Sequence, residues 1–157
     1  MIRPATADDK KALMAIAEAV GLFSPQEFEE LDSMLTAYFE DHLNSDQCWL
    51  TYDDGAGPVG VAYYAPEPFT YGTWNLYFIA VHPNRQGEGL GAKLLRDVEQ
   101  RLAERGERVL LVETSGLPNF EGIRAFYRKH EYEEEARIRE FYKAGEDKII
   151  FRKALTL

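Results

Sequence analysis

The stretch Arg85-Gln86-Gly87-Glu88-Gly89-Leu90-Gly91-Ala92-Lys93 decides how this chain is read. It lies between Thr73 to Val81, a run of strand formers, and a segment in which Leu90, Leu94, Leu95, Val98 and Leu102 recur at helical spacing until Gly106. Glycines at alternate positions directly before a helix leave successive backbone N–H groups uncovered by Cβ atoms. With the positive end of the helix dipole added, the segment reads as a cradle for a phosphate or pyrophosphate. The competing reading is that the glycines only turn the chain. Gly87-x-Gly89-x-x-Ala92 also meets the relaxed dinucleotide pattern, but His82 to Gln86 separates the strand from the first glycine. A P-loop is excluded, because no Gly-Lys-Ser/Thr follows.

Outward from the loop, Val109-Leu110-Leu111-Val112 is the next strand; joined to 73–81 through the helix, it completes a βαβ unit with parallel strands. The 73–81 run is apolar or aromatic beyond Asn75, the pattern of a central strand covered on both faces. Upstream, Trp49 to Tyr52 and Val59 to Ala65 flank the turn-rich Asp53-Asp54-Gly55-Ala56-Gly57, a β-hairpin. Two helices precede it. One runs from an N-cap at Thr6 to Gly21 with Leu13, Ile16, Ala17 and Val20 on one face; the other runs from Ser24-Pro25 to about His42 with Phe28, Leu31, Leu35 and Phe39 in a stripe. Downstream, Ile123, Phe126 and Tyr127 share one side of a helix ending near His130. Strands at about 132–141 and 148–154 then flank a turn at Ala144-Gly145-Glu146-Asp147.

At 157 residues, with 45% hydrophobic and 29% charged, the chain reads as one globular domain over residues 1–157. The start lacks a basic-then-apolar signal, and no apolar run approaches the roughly 18 residues of a spanning helix, so a cytoplasmic location is expected. The net charge of −9 disfavours nucleic acid and membrane as partners and favours cationic ones. Cys48 is the single cysteine, and His42 and His82 lack ligand spacing, so no internal disulfide and no metal are expected.

Gln86-Gly87-Glu88-Gly89-Leu90-Gly91 resembles the Q/R-x-x-G-x-G/A signature of the GCN5-related N-acetyltransferases (GNAT), and Ile79-Ala80-Val81-His82-Pro83 resembles the strand end before it. The likeness continues through Glu113 and Arg124-Ala125-Phe126-Tyr127-Arg128-Lys129. The tail Ala136 to Tyr142 is similar to the ribosomal-protein alanine acetyltransferases. The resemblance implies an α/β (α+β) GNAT fold: a central, mixed, twisted sheet of about six to seven strands with helices on both faces. It implies an N-acetyltransferase that moves an acetyl group from acetyl-CoA, its co-substrate, to a primary amine by direct attack.

In that family the pantetheine arm pairs with the central strand, here Ile79, Ala80 and Val81, and the pyrophosphate sits on Gln86, Gly87, Glu88, Gly89, Leu90, Gly91 and Ala92. Arg85 and Lys93 would add positive charge, or are ordinary surface. Glu113 matches the proton acceptor of the alanine acetyltransferases; as a strand-end carboxylate it could equally be a salt-bridge group. Tyr127 matches the tyrosine that protonates the departing thiolate, helped if Phe126 packs inward; otherwise it is a core aromatic. Three departures stand out: Asn75 replaces the base glutamate of the histone-acetylating branch, Phe120 replaces a CoA-contacting asparagine, and His130-Glu131 replaces the usual glycine stop. The expected acceptor is an amine, cationic in view of Glu27, Glu29, Glu30, Asp32, Glu40 and Asp41. A homodimer is compatible with the sequence. The alternative function is a non-catalytic acyl-CoA-binding or sensory module of the same fold.

Overall fold

A computed structural model describes residues 1–156. In chain order they form β1 (Ile2–Pro4), α1 (Lys10–Val20), α2 (Pro25–Glu40), β2 (Cys48–Asp53), β3 (Pro58–Pro66), β4 (Thr73–Val81), α3 (Leu90–Glu104), β5 (Val109–Ser115), α4 (Glu121–Lys129), β6 (Glu133–Lys143) and β7 (Glu146–Ala154). The strands make a seven-stranded mixed sheet in the order β1-β2-β3-β4-β5-β7-β6, with β4 in the centre. The chain divides into two compact units, Met1–Ala65 with Phe78–Val98, and Pro66–Tyr77 with Glu99 to the C-terminus.

In the first unit, β2 pairs antiparallel with β1 and β3, as hairpin periodicity requires. Leu13, Ile16 and Ala17 of α1 and Leu31 and Leu35 of α2 bury against Trp49, Val61 and Ala80. Side chains alternate across a strand, so Gly60 faces the opposite way from Val61. A Cβ there would lie 3.0 Å from Leu94 Cδ1, so glycine is what lets α3 approach the other face of the hairpin. The helix expected from Thr6 begins instead with a 3-10 turn at Ala7–Asp9. Asp9, 5% exposed, accepts the Thr6 N–H at 2.8 Å and pairs with Arg3 at 2.7 Å, while Arg3 also reaches Asp53 at 2.9 Å. These bonds tie β1, β2 and the entry to α1 together.

In the second unit, β5 and β7 pair antiparallel from Val109↔Ala154 to Ser115↔Lys148, and β6 pairs with β7. The last turn is tighter than its sequence indicates: Ala144-Gly145 alone make it, and Glu146 and Asp147 belong to β7. The parallel β4–β5 register runs from Thr73↔Val109 to Leu76↔Val112. Tyr77, the next residue, is 50% exposed, so the central strand is not covered on both faces along its length. Arg124, almost wholly buried, donates to the carbonyls of Ser115 (2.6 Å) and Leu117 (3.0 Å), holding α4 against the end of β5.

The missing glycine after α4 does not change how the helix ends. Tyr132 N–H donates to Tyr127 O (3.0 Å) and Glu131 N–H to Arg128 O (3.1 Å), the two bonds of a Schellman motif. Glu131 takes the left-handed position at φ 71°. Tyr132 meets Tyr127 edge-on at 5.6 Å, the apolar contact that accompanies such a cap.

Two outcomes are expected. Glu131→Gly relieves a left-handed penalty of about 1–2 kcal/mol and gives back part of it through a freer unfolded chain, for a net gain of about 0.5–1 kcal/mol. A rise of roughly 2 °C in Tm checks it, and a fall would show that the glutamate side chain matters. Asp9, held well below the usual carboxylate range by its hydrogen bond to Arg3, gives stability that is complete above about pH 4 and is lost as pH falls through the lower folded value. Asp9→Asn should flatten the acid limb of Tm against pH; an unaltered limb would assign it to other carboxylates.

Candidate active site

The glycine loop belongs to the first unit. Gly87 and Gly89 have φ of 83° and 78°, conformations that favour glycine, whereas Gly91 lies inside the first turn of α3. The first bond into the helix is Lys93 N–H to Gly89 O at 3.1 Å. Among the described residues, the N–H groups of Gly87 through Ala92 donate to no protein acceptor. Six consecutive donors at a helix N-terminus are what a bound pyrophosphate requires, so the residues fit that group. The Gln86 side chain donates to Val81 O at 3.0 Å and ties the loop to the end of β4.

Arg85 is not free to add charge there. It bonds Glu88 through Nε at 3.0 Å and also pairs with Asp54, which pushes its own pKa up and holds the Glu88 carboxyl below its usual range. Lys93, 6.0 Å from the Tyr52 ring centre, forms no ion pair among the described residues and is the cation at the start of α3.

The second unit gathers a different set. Asn75 and Leu111 are register partners, so Asn75, Tyr77, Leu111 and Glu113 share one face. Asn75, 1% exposed, donates its Nδ2 to Glu113 Oε2 (2.9 Å) and to Glu67 Oε1 (3.0 Å). Its Oδ1 is buried without a partner. Glu113 Oε1 pairs with Lys148 Nζ at 2.6 Å, and that ammonium lies 3.9 Å from the Phe141 ring centre. The Tyr77 hydroxyl lies 3.5 Å from Glu67 Oε1. Tyr142 is near enough for the Glu113 charge, after burial, to push its phenol up.

Tyr127 lies on the other face. Its ring contacts Phe151, whose neighbour Ile150 is the register partner of Glu113, so the Glu113 and Tyr127 side chains approach the sheet from opposite sides. The Tyr127 ring is buried, at 4% exposed, beside Phe126, Tyr132 and Phe151, and burial pushes its phenol up. Its hydroxyl makes no hydrogen bond among the described residues. Phe126, expected to turn inward, is only half-buried; the buried member of the pair is Tyr127 itself.

Sequence reasoning did not single out Glu67 or Lys148. Lys148 is found only through the β5–β7 register. Glu67 lies in the loop from Pro66 to Tyr71, a region that the family resemblance implies for the acceptor pocket, with nothing in the sequence to set it apart there.

A protein-family model described as the Acetyltransferase (GNAT) family matches residues 14–132. The chain belongs to the GNAT acetyltransferase family. The enzyme is 32% identical over 99% of both chains to a candidate GNAT acetyltransferase from Desulfovibrio desulfuricans, with a TM-score of 0.95. A ribosomal-protein-alanine N-acetyltransferase from Brucella melitensis is 26% identical over 99% of both chains, with a TM-score of 0.78. An aminoglycoside 6'-N-acetyltransferase solved with coenzyme A shares the fold at 16% identity and a TM-score of 0.79, over 100% of this chain and 98% of its own. No curated protein sequence matches significantly. With its family, the chain is an acetyl-CoA-dependent N-acetyltransferase. No helix among the described residues is long and apolar enough to cross a membrane.

A Cβ built on Gly89 meets nothing within 4 Å, so Gly89→Glu should fold. If the loop takes the pyrophosphate, the substitution sets a like charge beside it and strains a positive φ, which should weaken acetyl-CoA binding on the order of tenfold or more. Calorimetry with acetyl-CoA checks this, and an unchanged affinity would detach the cofactor from the loop.

Proposed function

We propose that the enzyme transfers the acetyl group of acetyl-CoA to a primary amine on a cationic acceptor, a small amine or a peptide or protein amine, in the cytoplasm. The observation that carries the reading is the run of unpartnered backbone N–H groups from Gly87 to Ala92, with Ile79, Ala80 and Val81 as the strand that receives the pantetheine arm. Acetyl-CoA supplies an activated acyl group whose leaving group is a thiolate.

A free alkyl amine has a pKa near 10.4 and is almost wholly ammonium at pH 7, so a proton must leave before nitrogen attacks the acyl carbon. Glu113 is assigned that proton, directly or through water. Tyr127 is assigned the proton delivered to sulfur as the C–S bond breaks. Nitrogen and sulfur share one acyl carbon, so this division requires both residues to reach it at the end of the β4–β5 ladder, beyond Leu76↔Val112, where the two strands no longer pair. Burial keeps the Tyr127 phenol protonated through neutral pH and also makes it a weaker acid. The carboxylate of Glu67, which has no cationic partner among the described residues and lies beside Tyr77, supports a cationic acceptor, whereas Lys148 already occupies Glu113 and the Phe141 ring.

Glu113→Gln should lower kcat/KM most at neutral pH, with the deficit shrinking toward pH 10, where the free amine dominates. A deficit constant across pH would give Glu113 a positional role. Tyr127→Phe should keep the fold and acetyl-CoA affinity and lose about 100-fold in kcat, the low end of general-acid contributions. Full activity in the stably folded variant would make the tyrosine a core residue only.

A further inference from the structure

Asn75 is an uncomfortable residue for the strand it occupies. Its neighbours Trp74 and Leu76 are buried apolar side chains, and its own Oδ1 is buried with no donor among the described residues, which costs the fold stability. Packing alone would favour a leucine there. What the amide does instead is donate from one nitrogen to two carboxylates, Glu113 on β5 and Glu67 on the β3–β4 connection. Turning the amide over would aim Oδ1 at both carboxylates, so the hydrogen-bond pattern fixes its orientation.

We propose that Asn75 is a positioning residue for acetyl transfer, holding the Glu113 and Glu67 carboxylates at one fixed spacing so that the two together receive the acceptor's amine. This rests on the assignment of Glu113 as base. Two N–H bonds diverging by about 120° from one nitrogen hold their acceptor oxygens roughly 5 Å apart. An ammonium donating to both oxygens needs about the same span. The two carboxylates also differ in charge balance. Lys148 neutralises Glu113, whereas Glu67 has only neutral donors among the described residues, the Asn75 amide and the Tyr77 hydroxyl. Glu67 therefore attracts the ammonium, and Glu113, held at Oε1 by Lys148 and at Oε2 by Asn75, is kept in one rotamer facing it.

The test is a double-mutant cycle on the full chain, with lysine-containing peptides and diaminoalkanes as acceptors. Asn75→Leu, close in volume and without the orphaned oxygen, should keep or raise Tm and leave KM for acetyl-CoA unchanged. It should lose about 10- to 100-fold in kcat, the scale of a misplaced reacting group. In the Glu113→Gln background the same substitution should cost little more, because it acts through that carboxylate. Glu67→Gln should raise KM for diamines more than it changes kcat. Should Asn75→Leu not fold, Asn75→Ser carries the cycle, since its shorter hydroxyl cannot reach both carboxylates. Wild-type kcat in a folded Asn75 variant, or a loss that adds in full to that of Glu113→Gln, overturns the positioning role while leaving the base in place. Full activity in Glu113→Gln overturns the base assignment and this inference with it.

Discussion

The parallel ladder between β4 and β5 lasts four residue pairs, and where it stops governs the chemistry of the chain. Up to Leu76↔Val112 the two strands satisfy each other's backbone groups as parallel strands must. One residue further on β5 stands Glu113, on a strand paired with β7 along its whole length from Val109 to Ser115. One residue before the end on β4 stands Asn75, on the same face. A ladder longer by two residues would pair Glu113 on both sides, with β4 as well as with β7. The short one leaves the β4 side of Glu113 unpaired at the end of the parallel ladder, the kind of place where open parallel sheets collect their ligands.

A second constraint comes from charge. A chain of net charge −9 must hold a polyanionic donor, and the arginine next to the loop does not help, since Asp54 and Glu88 neutralise it. The attraction falls to the backbone: successive N–H groups with the α3 dipole behind them, and Lys93 in the first turn. Arg85 instead ties the Glu88 side chain of the loop to Asp54 in the turn after β2. Salt screens the exposed negative charge on the helices over about 10 Å, so it opposes the donor weakly at the loop.

Tyr127 depends on an end-of-helix device. Glu131 in a left-handed conformation closes α4, which brings Tyr132 back across Tyr127. Tyr132 is anchored in turn by its hydroxyl to Glu99 at 2.6 Å, and Lys153 pairs with Glu99 at 3.1 Å and donates to His130 O at 3.0 Å. One partly buried carboxylate thus holds a tyrosine hydroxyl and an ammonium, and that ammonium in turn reaches the helix-terminal carbonyl, so the ring packed against Tyr127 is fixed from behind.

Much of this was legible in residue order because it is local. The glycine segment, the leucine spacing of α3, the hairpin around residues 53–57 and the parallel β4–β5 pair all follow from periodicity and turn chemistry within short windows. Strand position also marks Glu113 as a residue to examine, whereas only the family resemblance marks Tyr127. The sequence could not show that Arg85 is neutralised by Asp54, which is 31 residues away, or that the phenol and the carboxylate approach from opposite faces. Nor could it show that Asn75 joins Glu113, 38 residues on, to Glu67. Those facts depend on strand register, and a shift of one residue would turn every side chain to the other face. Register is set by the whole packed sheet, so the sequence alone determined which chemical groups this chain carries, and only the tertiary structure decided which of them meet.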